Sequence, residues 1–272
     1  MEVVGNSSHY RFVSWNVERY TPVIHVWLKQ YLEAEQPDVV FLTETKKSVE
    51  ELQRWFGQFD DYHHVINAHV PVGHHGVAML IKKEHTYTQF AVPMGIGVRS
   101  DSKSSEASTG RVILIQLNGE MNVIGTYTPN SGSGLKNLEY RTEVWDPAFY
   151  RLLETARTSG PTLWMGDVNV ALSNLDVSDP VGMSSWAGFT LPERQNFNTL
   201  LSSGNWIDPW REQHPGIREY SWVGKIRRPN FGMRIDNVIV SDTLWPRVVD
   251  SAIVDDGPNS SDHLPIGVTL SR

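Results

Sequence analysis

Val112-Ile113-Leu114-Ile115-Gln116-Leu117-Asn118-Gly119-Glu120-Met121-Asn122-Val123-Ile124-Gly125-Thr126-Tyr127 reads as a β-hairpin. Two apolar runs, 112–117 and 123–127, flank Asn118-Gly119, a dipeptide that supplies the positive φ angles a tight turn needs. Outward from this hairpin, strand-like runs recur at 12–17, 39–43, 77–81, 162–165, 238–240 and 266–270. Helices stand between several of them and carry start signals. Thr21-Pro22 offers an N-cap with proline at the first helical position, Ser48 with Glu51 forms a capping box, and Thr190 with Pro192 and Glu193 combines both devices. Asp146-Pro147 predicts the start of a new helix after one over 138–144. Alternation of strands with helices argues for an α/β protein, while the hairpin argues against a purely parallel doubly wound sheet. The reading that satisfies both is a four-layered α/β sandwich, two packed β-sheets flanked by helices.

With 272 residues the chain is long enough for one large core, and no composition break divides it. The expectation is a short N-terminal tail, 1–10, followed by a single catalytic domain, 11–272. An apolar fraction of 40% excludes general disorder. The absence of cysteine excludes disulfides and thiolate zinc sites. No run reaches the roughly 18 apolar residues of a membrane span, so an intracellular protein, cytoplasmic or nuclear, without membrane contact is expected. The net charge of −7 opposes general affinity for nucleic acid. That opposition weakens if carboxylates gather at a site where a cation offsets them. Local basic clusters are present in any case: Lys46-Lys47, Lys136 with Arg141 around a Gly/Ser loop, and Lys225, Arg227 and Arg228. Each of these, taken alone, also fits a solvated face.

Polar residues recur at the ends of the apolar runs. Asn16, Glu44, Asp167 with Asn169, Asp236, and Asp262-His263 each lie at or just past such an end, so all can meet at one rim of a sheet, as the assembly of a phosphodiester hydrolase requires. Glu44 follows Val39-Val40-Phe41-Leu42-Thr43, and a carboxylate at a strand end suits a hard cation such as Mg²⁺. A surface glutamate has the same local pattern. Asp167 and Asn169 are two apart, so on an extended segment they point the same way, an arrangement fit for a base that takes a proton from water while a neighbour orients it. Asp-x-Asn also occurs in turns. The histidines at 63, 64, 69, 74 and 75 invite a metal reading, but their spacing matches no zinc pattern.

Seven motifs occur in one order: Trp15-Asn16-Val17, Thr43-Glu44-Thr45-Lys46, Gly125 to Gly132, Gly166-Asp167-Val168-Asn169, Ala187-Gly188-Phe189-Thr190 with Glu193-Arg194-Gln195, Met233-Arg234-Ile235-Asp236, and Ser261-Asp262-His263. Over nearly its whole length the chain resembles the exonuclease III type of apurinic/apyrimidinic endonuclease in the endonuclease/exonuclease/phosphatase superfamily. The resemblance implies a Mg²⁺-dependent DNA repair nuclease, with Mn²⁺ able to substitute, that acts as a monomer on double-stranded DNA carrying abasic sites and also trims or repairs 3′ ends. It implies Glu44 as principal metal ligand, with Asn16, Asp262 and Glu18 around the ion, although the family usually has aspartate where Glu18 stands. It pairs His263 with Asp236, makes Asp167 and Asn169 the groups that activate and orient water, and gives Tyr127 a hydrogen bond to phosphate. It places Trp222, Met233 and Ile235 around the sugar pocket, Met233 replacing an aromatic residue of other members. Lys46, His75 in Gly73-His74-His75-Gly76, Ser133, Arg141, and the segment with Lys225, Arg227 and Arg228 are expected to face DNA. The rival readings are another phosphodiesterase of the superfamily, acting on RNA or inositol phosphates or derived from a retroelement, and a catalytically silent DNA-binding module.

Overall fold

The computed structural model describes residues 8–92, 94, 109–224, 231–254 and 260–272. The chain runs β1 (His9–Asn16), α1 (Pro22–Glu35), β2 (Val39–Thr43), α2 (Val49–Phe56), β3 (Tyr62–Asn67), β4 (Val77–Lys82), β5 (Tyr87–Phe90), β6 (Val112–Leu117) and β7 (Met121–Tyr127). It continues through α3 (Asp146–Ser159), β8 (Thr162–Asp167), α4 (Leu191–Ser202), β9 (Trp206–Ile207), α5 (Pro209–Gln213), β10 (Trp222–Val223), β11 (Gly232–Met233), β12 (Asp236–Ser241), β13 (Val248–Ile253) and β14 (Ile266–Ser271). Two six-stranded sheets form, ordered β13-β14-β1-β2-β4-β3 and β5-β6-β7-β8-β12-β9. Each is mixed, with one parallel pair, β1 beside β2 and β7 beside β8. Strand β1 starts at His9, inside the segment expected as tail.

Period-two alternation builds the layers. Phe12, Val39 and Phe41 on one sheet and Val123, Leu163 and Met165 on the other face the core between the sheets. The residues next to them turn outward: Val13, Trp15, Val40 and Leu42 meet Ile24, Leu28, Leu52 and Phe56 of α1 and α2. Ile124 and Trp164 meet Phe149, Leu153 and Phe197 of α3 and α4. The sheets approach closely where Phe41 crosses Gly125, since a Cβ there would lie 2.3 Å from the ring. The expected hairpin is β6–β7, with Asn118 at φ 53° and Gly119 at φ 70°.

The expected helix starts hold at Thr21, Ser48 and Thr190. The start at Asp146 differs. Residues 140–145 form a π-helical turn that runs straight into α3, and Asp146 caps nothing; its carboxylate instead accepts a 2.6 Å bond from Arg141 Nε. The wider turn brings together residues five apart, which an α-helix would separate. None of the described helices is long and apolar enough to cross a membrane.

Candidate active site

The parallel pairs put the carboxyl ends of β1, β2, β7 and β8 at one rim. Strand β12 runs antiparallel to β8 with Asp236 opposite Asp167, so its first residue reaches the same rim. Strand β14 runs antiparallel to β1, which sets the preceding Asp262-His263 beside Asn16. Cross-links fix this convergence: Trp15 Nε1 donates to the His263 carbonyl at 3.0 Å, and Ser261 Oγ donates to the Asn16 carbonyl at 2.7 Å. Glycine at 166 is obligatory, because its φ is 146° and a Cβ would fall 1.9 Å from the Thr126 carbonyl oxygen.

Glu18, Glu44, Asp167 and Asp262 line one open cavity, with Lys46 and His263 beside them. Glu44 sits at φ 53° and Lys46 at φ 54°, and the backbone N–H groups of Thr45 and Lys46 donate to the Gly76 and His75 carbonyls. Non-glycine residues rarely adopt this left-handed conformation, and when they do they often lie at functional sites. Glu18, Leu135 and Asn169 line the same cavity with φ between 53° and 58°.

Asn16 Nδ2 donates to Glu44 at 3.0 Å and to Asp167 at 2.9 Å, while its Oδ1 accepts from the Glu18 N–H. Asn16, expected beside the metal, turns its amide donor toward both carboxylates. Lys46 Nζ lies 2.6 Å from Glu44. Burial works to raise the Glu44 carboxyl, but the bonds from Asn16 and Lys46 outweigh it and hold the group below the ordinary glutamate range. Asp167 goes the other way. Its burial, with the charges of Asp236 and Glu44 added, raises it against the pull of His263 and Asn16.

His263 Nδ1 is 2.7 Å from Asp236 Oδ2, which also accepts from Ser221 Oγ at 2.7 Å. Burial alone would lower His263; the Asp236 carboxylate and its hydrogen bond prevail and raise it to about 10. The imidazole therefore carries a proton at neutral pH. Tyr127 is raised well above its ordinary value by burial and by the Glu44 and Asp167 charges, so its phenol stays protonated.

Asn169 does not extend the strand beside Asp167. Strand β8 ends at Asp167, and Asn169 curls back at φ 53° to donate its N–H to Asp167 Oδ1 at 2.9 Å. Its side chain donates to the Thr128 carbonyl and accepts from Asn130 at 2.7 Å. The pair converges through a turn, with Asn169 buttressing the aspartate.

Oxygen-rich donors facing one cavity fit a hard divalent cation. Asp167, Asp236 and His263 also bring ligand atoms within 4.8 Å of one another. Since His263 Nδ1 is engaged by Asp236 and a protonated ring has no lone pair, the carboxylates on the Glu44 side are the better seat.

Trp222, Met233 and Ile235 line the cavity, and Ser133 lies at its glycine-rich edge. Trp222 Nε1 donates to Asp262 at 3.1 Å. His75 stands half-buried behind Tyr127, with Arg111 Nη2 2.9 Å from its Nε2, and burial together with Arg111 keeps the ring neutral. Arg141 corrects the expectation of DNA contact: it is buried and donates to Asp146 and to the carbonyls of Pro129 and Val168, bracing the loops from within. Lys225, Arg227 and Arg228 lie outside the described residues.

The sequence reading missed Ser221 and Trp186. A serine fifteen residues before the aspartate it bonds carries no local signal, whereas Trp186 directly precedes Ala187-Gly188-Phe189-Thr190. Glu193 of that motif is fully buried and accepts from Ser131 Oγ, Gly188 N, Thr190 N and Thr190 Oγ1.

A four-layered sandwich with an acidic, imidazole-backed cleft at the rim of its sheets defines a class of phosphoester hydrolases. The Endonuclease/Exonuclease/phosphatase family model matches residues 13–263, and the chain belongs to that family. It is 33% identical to a Dictyostelium discoideum protein named DNA-(apurinic or apyrimidinic site) endonuclease, over 96% of this chain and 70% of that one. It is 31% identical to a Bacillus subtilis exodeoxyribonuclease, over 96% and 99%. The crystal structure of an AP endonuclease from Leishmania major superimposes with a TM-score of 0.82 at 27% identity, covering 97% of this chain and 88% of that one.

Proposed function

We propose that the protein is a Mg²⁺-dependent DNA repair nuclease, with Mn²⁺ able to substitute, that hydrolyses the phosphodiester 5′ to an abasic site in double-stranded DNA. The observation that carries this reading is the opposition, within one cavity, of a buried aspartate of raised pKa, Asp167, to a protonated imidazole, His263, held by Asp236. A carboxylate made more basic by burial, beside an imidazole that stays charged, is the acid–base pair a hydrolytic step needs.

Asp167 takes the proton of the attacking water, and Asn16 and Asn169 hold its two oxygens in place. His263 and the Tyr127 phenol donate to the phosphate oxygens as negative charge grows there, and Asp236 keeps the imidazole charged and aligned. Glu44, with Asp262 and Glu18 nearby, is the seat of the cation. When bound, Mg²⁺ supplies positive charge to the phosphate and the leaving 3′ oxygen. Trp222, Met233 and Ile235 receive the bare deoxyribose. The names of the Dictyostelium and Leishmania relatives support the abasic substrate, and that of the Bacillus relative supports an accompanying exonuclease activity.

The test is incubation with a labelled duplex containing one abasic analogue, with Mg²⁺ and with chelator. A single incision 5′ to the analogue, abolished by chelator, is expected. An uncut duplex in Mg²⁺ would overturn the reading.

A further inference from the structure

Trp186 lines the same cavity as the carboxylates but lies at its rim, with 43% of its surface exposed. Tryptophan is costly to leave in water, and here the neighbouring residues are anchored: Met183 and Phe189 are each 1% exposed. The backbone cannot readily turn the ring inward. The Trp186 N–H donates to the Met183 carbonyl at 2.8 Å, and the Phe189 N–H donates to the Trp186 carbonyl at 3.0 Å. Two residues on, Gly188 N donates to the buried Glu193 carboxylate. The indole is thus held on a rigid turn with a face turned to solvent.

It is also the outer member of an aromatic series. Trp186 meets Phe231 edge-on at 5.8 Å and 68°, Phe231 meets Trp222 at 6.1 Å and 62°, and Trp222 bonds Asp262. One cavity therefore offers charged groups, the apolar side chains of Met233 and Ile235, and an exposed indole. A nucleotide presents the matching set of phosphate, sugar and planar base. Resting on the DNA nuclease reading above, we propose that Trp186 forms a nucleobase-stacking subsite, so that the cavity holds an intact 3′-terminal nucleotide as well as a bare abasic sugar.

Base–aromatic stacking falls by about 1–3 kcal/mol on alanine substitution, which corresponds to about 5- to 150-fold in binding or kcat/KM. The experiment compares wild type, Trp186→Ala and Trp186→Phe on two duplexes, one with an internal abasic analogue and one with an intact 3′ terminus from which mononucleotide release is followed. Trp186→Ala is expected to lower kcat/KM for mononucleotide release by about 5- to 150-fold while abasic incision stays within about twofold, with Trp186→Phe recovering most of the loss. A second readout needs no cleavage. With chelator present, a fluorescent aminopurine at the 3′ terminus should be quenched by wild type and not by Trp186→Ala. Equal loss on both duplexes, no loss on either, absence of mononucleotide release by wild type, or identical aminopurine fluorescence with both proteins would overturn the subsite. A wild type that quenches aminopurine but leaves the abasic duplex uncut would count against the abasic-site reading and leave the stacking subsite standing.

Discussion

Two buried charge clusters flank Ile235, and they are built to opposite ends. On one side Arg234 donates to Asp176 at 2.7 Å and to Asp208 at 2.7 Å, Arg211 reaches Asp176 at 2.5 Å, and the Trp210 ring lies against both guanidiniums. Two carboxylates meet two arginines, and the cluster is closed. On the other side, among the described residues, the ion pairs of Glu44, Asp167, Asp236 and Asp262 are those with Lys46 and His263, and Asp236 Oδ1 is buried without a hydrogen-bond partner. Burial would raise both Asp176 and Asp167. In the first cluster the arginines overcome it and hold Asp176 below the ordinary range, whereas in the second Asp167 stays raised. Balanced charge makes a brace; a surplus of carboxylate beside an open cavity makes a site for a cation and an attacking water.

The contrast breaks most visibly at Asp167. Asp167→Asn keeps the shape and removes the base, so single-turnover cleavage should fall by about two to four orders of magnitude while the melting temperature changes little. Loss of DNA binding in step with cleavage would instead make Asp167 a binding group. Arg234→Met should do the reverse. It leaves Asp208 without its cation and Asp176 with Arg211 alone, which costs about 3–5 kcal/mol, measured as a shift of the urea midpoint. A stability within 1 kcal/mol of wild type, by roughly the same scale, would show the brace to be dispensable.

Glu44→Gln tests the surplus itself. Removing one carboxylate should raise the Mg²⁺ concentration for half-maximal cleavage by roughly tenfold, in line with losing one of few charged oxygen ligands. A titration superimposable on wild type would take Glu44 out of the cation seat. The smallest effect concerns acid. Asp176 is depressed by Arg234, so its contribution to stability is complete above the unfolded-state aspartate value of about 3.9 and is lost as pH falls through the lower folded value. Asp176→Asn should therefore flatten the acid limb of the stability profile below about pH 4. Parallel limbs in mutant and wild type would assign the acid sensitivity elsewhere.

Much of this was legible in the sequence because it rests on short-range physics. The Asn118-Gly119 turn, the capping boxes at Ser48 and Thr190, and the continuous apolar runs of β2 and β8 depend on neighbours within a few positions. Acids at strand ends could be named for the same reason. Where a side chain's partner is distant, sequence gave less. Strand β3, with His63 and His64, reads as a polar histidine tract, yet Tyr62 and Val65, three apart and so on opposite faces, are buried in two different cores and seat it at the sheet edge. Strand β13 is largely exposed at the other edge and shows no apolar run. Arg141 looked like a surface cation in a basic loop because its pairing with Asp146 depends on the wider π-helical turn, and nothing local to Asn16 fixes which end of its amide faces the acids.

The carboxylate of Glu193 bears on how this protein can be recombined with its relatives. It receives donors from three separate places, the Ser131 loop, the Gly188 turn and the start of α4, so these segments form one inheritable block. A chimera that imports residues 185–195 from a relative without the matching 130–134 loop leaves a buried acid short of a donor, or a serine facing nothing, and should expose its Gly188 amide to hydrogen exchange. Imported together, the two segments should keep that amide protected, and substrate range can then be exchanged as a module while the catalytic rim is left in place.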